Sequence, residues 1–405
     1  MSKKHIEHTL IIPTYNRPEK INRLLRYLDW QDVSFPILVL DSSTDENADV
    51  TSALAQQYEL DIRIIKYDPS IPPYEKFMLG LNEVETQTCS FCADDDLVFA
   101  DAIEHCAEFL KNNSDFTLAH GFYLNFAERG EIIDIQYMVQ DSVSITDEEP
   151  LDRLWKYISN YDVMIYSVVR TEVMQRIFAV MQGANTILSA ELLSGGLAAL
   201  SGKIARIPIA YCARSVGPSH FYSSWHPHQI LTQGVGTLMA EYHHYRNILL
   251  DQIELTHSLK QHSRDNLENI CDLVHLRYLS PFLAEDILEF IQTEMVKGED
   301  SQSITNAIWK RWVSSNRAVH PTMLYRHATE GWLENQLASS LSNKKSNPYG
   351  ESVQKERRDY LIESQTSGGK PRVYKLYDEF VFPTSDTIIS DKLVQKIVRH
   401  FDSYH

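Results

Sequence analysis

In TLIIPTYNRPEKINRLLRYLDW, residues 9–30, the apolar pattern changes period once. Thr9 to Ile12 form an unbroken run of strand length that stops at Pro13. After Pro18, Leu24, Leu25 and Leu28 recur on one helical face. Pro18 suits the first helical turn, where its missing N–H costs nothing, with Asn16 or Arg17 just outside. The same switch repeats downstream. FPILVLDSSTDEN (35–47) is an apolar strand that breaks into polar residues before a helix over about 50–58. IRIIKY (62–67) precedes a helix over about 74–84, and Thr88–Cys92 reads as a fourth strand. Strands that are apolar throughout belong to parallel sheets covered on both sides. The order β-α-β-α-β-α-β therefore predicts an α/β fold, Rossmann-like, with a mostly parallel sheet and helices on both faces.

Ligands of such sheets collect beyond the carboxyl ends of the strands. Three polar clusters fall on that edge: PTYNR, LDSSTD and ADDDL. The last belongs to FCADDDLVFAD (91–101), where Asp94, Asp95 and Asp96 stand together behind an apolar run. Three adjacent carboxylates repel one another, more strongly as water is excluded, so something positive is expected beside them. A solvated turn or helix N-terminus would tolerate them. A divalent metal would use them, and convergence of three strand ends on one rim favours the functional reading.

Further along, a helix over 101–111, a strand over 116–126, a turn at Arg129–Gly130 and a helix from Pro150 to about Tyr161 are expected. VMIYSVV (163–169) reads as a strand, Glu172–Leu200 as helical with an interruption at Gly195 and Gly196, and 204–213 as a last strand before the loop RSVGPSHFYSSWHPHQ (214–229). The expected organisation is a first domain over 1–234 and a mainly helical second domain over 235–405. Within the latter, about 342–372 is too poor in apolar residues to pack and is expected to be mobile, ahead of a helix over about 390–400.

The 405 residues are 43% apolar, enough to fill two cores, and carry a formal charge of −17. An acidic chain is a poor partner for nucleic acid, and any phosphate it binds must be met locally or through a metal. Five cysteines, Cys89, Cys92, Cys106, Cys212 and Cys271, are too few and too scattered for a disulfide framework and fit a reducing cytoplasm. No signal peptide or spanning helix is expected.

IIPTYNRPEKINRLLRYL (11–28), ILVLDSSTDEN (37–47), YEKFMLGLN (74–82), FCADDDLV (91–98) and AELLSGGL (190–197) together resemble a GT-A fold, family 2-like glycosyltransferase of the bacterial cell-surface polysaccharide branch, over about the first 220 residues. The resemblance implies transfer of a sugar from a nucleotide-sugar donor to a glycan or lipid-linked saccharide acceptor, with inversion. It also implies a divalent metal, Mn²⁺ or Mg²⁺, held by hard oxygen ligands. Aligned without gaps, the family's metal-binding aspartate falls on Asp95 and its first aspartate on Ala93. Shifted by one, Asp94 and Asp96 recreate the Asp-x-Asp spacing, so all three are candidate metal ligands with Asp95 foremost; with Asp95 as the ligand, Asp94 reaches the donor ribose or pyrophosphate side.

Asp41 matches the family's nucleoside-contacting acid, with capping of the next helix as its alternative. Pro13, Thr14, Tyr15 and Asn16 match the loop around the base, Tyr15 as a stacking or a packing ring. Lys76 falls where a cation can meet the diphosphate. The general base is expected on a helix at Glu191, the only acid between Val173 and Lys203, standing alone where the family carries an acidic pair. Arg214 or His220 is expected on a lid over the donor; His226 and His228 complete a histidine cluster in that loop. The second domain is expected to serve acceptor recognition, homo-oligomer formation or peripheral membrane docking through Lys344, Lys345, Arg357 and Arg358, on the cytoplasmic side. Two other readings are a silent glycan-binding scaffold and a sugar-phosphate nucleotidyltransferase. PTYNRP lacks the glycine-rich phosphate loop the latter needs.

Overall fold

The computed structural model describes residues 6–129, 132–137, 144–159, 164–181, 191–215, 235–256, 373–376 and a few isolated positions. Its first half follows the expected alternation: β1 (His8–Thr14), α1 (Pro18–Trp30), β2 (Ile37–Asp41), α2 (Asp45–Ala55), β3 (Ile62–Lys66), α3 (Pro73–Leu81) and β4 (Thr88–Phe91). Then come β5 (Leu97–Val98), α4 (Ala100–Asn112), β6 (Phe116–Arg129), β7 (Ile132–Tyr137), α5 (Pro150–Ser159), β8 (Val168–Arg170), α6 (Thr171–Val180), α7 (Leu193–Ser201), β9 (Lys203–Ser215), α8 (Val235–Leu255) and β10 (Val373–Leu376).

The sheet runs β10-β7-β6-β8-β4-β1-β2-β3, with β9 joining β6 to β5. β1 is parallel to β2 on one side and to β4 on the other, and β2 is parallel to β3. β8 enters antiparallel between β4 and β6, so the sheet is mixed rather than uniformly parallel. Chain connections diverge on either side of β1, which opens a crevice at its carboxyl end. The register there sets Thr14 directly beside Asp41.

Alternation along the central strands explains their unbroken apolar runs. Leu10, Ile12, Ile37 and Val39 pack on one face with Leu24, Leu25 and Leu28 of α1 and Ile103 of α4. Ile11, Leu38 and Leu40 pack on the other, with α5, α6 and α7. Each fully buried leucine contributes about 1.5–3 kcal/mol relative to exposure. Tyr245, Leu249, Leu250 and Ile253 of α8 belong to this second core together with Leu193 and Leu197, so the helix that begins at the expected domain boundary packs into the sheet domain.

Three local expectations change. The run 163–169 gives only a short strand, because Met164–Ser167 closes a turn through the Ser167 amide to the Met164 carbonyl (3.0 Å). β9 is longer than expected and shifts register against β6 around Gly121, where a side chain would strike the carbonyl of Ile209. Val373–Leu376, within the domain expected to be mainly helical, forms the edge strand β10 parallel to β7. The expected loop over 342–372, its basic residues and the helix over 390–400 lie outside the described residues. Cys89, Cys92, Cys106 and Cys212 are buried free thiols, and Cys271 lies outside the description. Among the described residues no helix is long and apolar enough to cross a membrane.

His8, fully buried at the start of β1, exchanges hydrogen bonds with Thr88 Oγ1 (3.1 Å) and Ser90 Oγ (3.0 Å). Burial lowers its pKa to about 3, so the folded protein holds it neutral. Between pH 6.5 and 3 the unfolded chain binds the proton that the folded one refuses, and stability falls as pH drops through that window. At ~1.4 kcal/mol per pKa unit the loss amounts to a few kcal/mol. Urea titrations should show a steeper acid-side loss for the wild type than for His8→Gln; identical slopes between pH 6 and 4 would remove His8 as the cause.

Candidate functional site

The rim at the ends of β1, β2 and β4 is built from short connections that leave polar groups no place but the crevice. Asn16 takes a left-handed φ of 54°, which Asn tolerates better than most residues. The Asn16 amide donates to Ser43 Oγ (2.7 Å). Its side-chain oxygen accepts from the Thr44 amide (2.9 Å) and from Asn47 Nδ2 (3.1 Å), which fastens the β1–α1 loop to the start of α2.

Asp41 ends β2 fully buried. Its Oδ1 accepts from the Ser43 amide (2.8 Å), whereas its buried Oδ2 has no hydrogen-bond partner among the described residues. A buried carboxylate oxygen left in that condition is costly unless a ligand donor meets it. The capping alternative fails in its simple form: Thr44 is the N-cap residue of α2, and no side chain caps it.

Lys76, from α3, is buried rather than extended to solvent. Its ammonium donates to the Thr14 carbonyl (3.0 Å) and to Ser42 Oγ (2.8 Å). Burial lowers its pKa to about 8, against the opposing pull of Asp41 and Asp94. It therefore ties the ends of β1 and β2 together from beneath the rim.

The triplet divides into three environments. Asp94 is buried; its Oδ2 accepts from Thr14 Oγ1 (2.7 Å) and its Oδ1 pairs with Arg17 Nη2 (3.1 Å). Burial pushes its carboxyl up to about 7, with Arg17 pulling the other way. Asp96 turns toward β9: its Oδ1 accepts from the Ser215 amide (2.7 Å), and Tyr166 and Arg214 face it, Arg214 Nε at 3.9 Å. Burial raises its pKa as well. Asp95 alone keeps a substantially exposed side chain, 25% against 0% for Asp94 and 8% for Asp96, and its Oδ2 accepts from Arg17 Nη1 (2.9 Å). The Arg23 guanidinium, also buried, donates to the Asp95 carbonyl (3.2 Å).

Much of the positive charge that the triplet demands comes from Arg17 and Arg214. No group of three or more metal-ligating side chains converges among the described residues. The arrangement fits a cation held by the single exposed carboxylate of Asp95 together with substrate phosphates and water, a sparse ligation that Mg²⁺ and Mn²⁺ accept. It does not fit a cage of all three aspartates.

Sequence reasoning overlooked Arg17 as a partner of the triplet, although it stands in PTYNR. A signal was available: Arg17 is the N-cap residue of α1, an end of the helix that disfavours cations, so nearby carboxylates were to be expected. Tyr166, which faces Asp96, gave no such signal. Glu191 sits half-buried immediately ahead of α7; its carbonyl accepts from Ser194 Oγ (3.1 Å) and from the Tyr157 hydroxyl (3.3 Å). Pro13 and Tyr15 lie half-buried on the β1 rim. His220, His226 and His228 lie outside the described residues.

Residues 9–178 match the family model of glycosyl transferase family 2, which takes in Thr14, Asp41, Lys76 and the triplet but stops short of Glu191. No curated protein matches the chain. Among solved structures, a fragment of Staphylococcus aureus TarS, residues 1–349, in complex with UDP-GlcNAc shares 15% identity, with a TM-score of 0.44 over 75% of this chain and 92% of that one. A longer TarS structure shares 17% identity with a TM-score of 0.39; the match spans 74% of this chain and 55% of that one. The mannosyltransferase PcManGT from Pyrobaculum calidifontis, in complex with GDP-Man and Mn²⁺, shares 13% identity at a TM-score of 0.39, over 77% and 89% of the two chains. The stretch that matches glycosyl transferase family 2, residues 9–178, is thus the one that builds the parallel strands and their polar rim.

Proposed function

We propose that the protein moves a sugar from a nucleoside-diphosphate sugar to a glycan or lipid-linked saccharide acceptor in the assembly of a bacterial surface polysaccharide, with inversion at the anomeric carbon and with a divalent metal. The observation that carries the donor assignment is the rim itself. The unsatisfied Oδ2 of Asp41 and the exposed carboxylate of Asp95 flank the Thr14–Asp94 hydrogen bond in one crevice. Asp41 accepts from the base or ribose, while Asp95 marks the diphosphate side. Lys76 and Asn16 hold the loops that shape this rim rather than reaching into it.

Bound there, Mn²⁺ or Mg²⁺ would neutralise the charge that develops on the leaving diphosphate. Glu191 takes the proton of the acceptor hydroxyl as its oxygen bonds to the anomeric carbon, and the bond from that carbon to the diphosphate oxygen breaks on the opposite face. Cytoplasmic location, self-association and contact with a membrane surface belong to the same reading, by way of the chain after residue 235.

A nucleoside diphosphate should raise the melting temperature more in Mn²⁺ than in chelator, because ligand that binds only the folded state stabilises it by mass action. Asp95→Ala should lose the metal-dependent increment and keep the rest. Equal shifts for both proteins in both conditions would overturn the metal assignment; no shift with any nucleoside diphosphate would overturn the donor class.

A further inference from the structure

We infer that Arg17 is a resident counter-ion that must leave Asp95 before a divalent cation can take that carboxylate, and that the diphosphate of the donor is what draws it away. The inference rests on the metal-dependent reading above and assigns a role to a side chain which that reading does not use.

The Arg17 guanidinium bridges two carboxylates at once, Nη2 to Asp94 Oδ1 at 3.1 Å and Nη1 to Asp95 Oδ2 at 2.9 Å. Asp94 has no exposure and a second donor in Thr14, so it is fixed. Asp95 is the exposed partner, and a metal held there would share its carboxylate with the guanidinium. Two cations a few ångströms apart on one carboxylate repel, so occupancy by one disfavours the other.

Arg17 is itself one-third exposed, at 33% of its side chain, and stands at the N-terminal end of α1. That position favours anions, and a guanidinium pairs with phosphate oxygens as readily as with a carboxylate. An arriving diphosphate therefore offers Arg17 an equivalent partner and frees Asp95 in the same movement. Binding of nucleotide and metal becomes cooperative, and by linkage the coupling acts equally in both directions.

The test is Mn²⁺ binding to the full chain, followed by electron paramagnetic resonance of the free ion, with and without UDP or GDP. If the guanidinium holds Asp95 in about nine-tenths of the molecules, the metal's apparent affinity is lowered ~10-fold. Arg17→Gln should recover that factor in the absence of nucleotide, and its gain on adding nucleotide, the share owed to phosphate ligation of the metal, should be ~10-fold smaller than that of the wild type. Wild type should bind Mn²⁺ weakly alone and at least ~10-fold more tightly with the nucleotide.

Asp95→Asn in the Arg17→Gln background should abolish binding, which ties the effect to that carboxylate. Arg17→Lys keeps a charge beside buried Asp94 but cannot bridge both acids, so it should fall between wild type and Arg17→Gln; it also serves if the Gln variant folds poorly. Equal nucleotide-free Mn²⁺ affinity in wild type, Arg17→Gln and Arg17→Lys, with tight binding once nucleotide is added, would overturn the role of Arg17 and leave the metal reading intact. Absence of Mn²⁺ binding in every protein, although nucleotide binds, would overturn both.

Discussion

Replacing Glu191 with Gln should lower turnover by about 10²–10⁴-fold while donor binding stays near its wild-type value. Gln keeps the size of the side chain and removes its capacity to accept the proton of the acceptor hydroxyl. The helix behind it is well suited to aim a base. Every residue from Leu192 to Leu200 is buried, and the Glu191 carbonyl is held by both Ser194 and Tyr157. Steady-state kinetics under conditions where chemistry limits the rate, with nucleotide affinity measured separately, will distinguish a lost base from a lost site. Nuclear magnetic resonance of the product reports the anomeric configuration. A retained configuration, or wild-type turnover in the Gln variant, would assign the proton to another group.

A second large effect is expected at Gly195, one turn beyond that glutamate. A Cβ there would overlap the hydroxyl and ring of Tyr157, a fully buried residue of α5. Gly195→Ala must push α5 and α7 apart or turn the tyrosine out of its site, and overpacking of this kind costs about 1–3 kcal/mol. At ~2–4 °C per kcal/mol for a domain of 150–250 residues, a fall of several degrees in the melting temperature follows. The same displacement removes the Tyr157 hydrogen bond to the Glu191 carbonyl and misaims the residue ahead of the helix. Turnover should therefore fall more than donor affinity, in a protein that is still folded at the assay temperature. An unchanged melting temperature would mean that the helices have room the present packing does not show.

Much of the central sheet was legible because its strands are buried on both faces: a run such as Ile37–Leu40 has no amphipathic ambiguity, and the polar residue that ends it must lie on the rim. That Thr14 and Asp41 both lie on the rim followed from that logic; their direct adjacency comes from the β1–β2 register. What was hidden is non-local. Arg17 stands at a helix N-terminus, a position that calls for a carboxylate nearby, but nothing in its surroundings says that the partners are Asp94 and Asp95. Lys76 looks like an exposed helical lysine until α3 is laid across the ends of β1 and β2. Tyr166 falls in a run whose apolar character predicts a strand, while its hydroxyl faces Asp96 instead. The metal expectation was drawn from three adjacent charges; Asp94 and Asp95 share the Arg17 guanidinium, while Asp96 turns toward Ser215 and Arg214.

The edge strand β10 bears on how the protein comes to be made. Its four residues lie beside Ile132–Ile135 but are synthesised long afterwards; at ~5–20 residues per second the ribosome takes roughly 10–50 s to reach them. Throughout that interval β7 presents a row of unpaired amides and carbonyls to the cell, a template on which other nascent chains can add. The rim at the ends of β1, β2 and β4 draws its partners from residues up to Arg214 and Ser215, and its core from helices up to α8, so it can assemble before β10 is made. The long-range pairing with β10 comes last, so premature termination after α8 would yield chains that keep the crevice and the core beneath it and carry an adhesive flank.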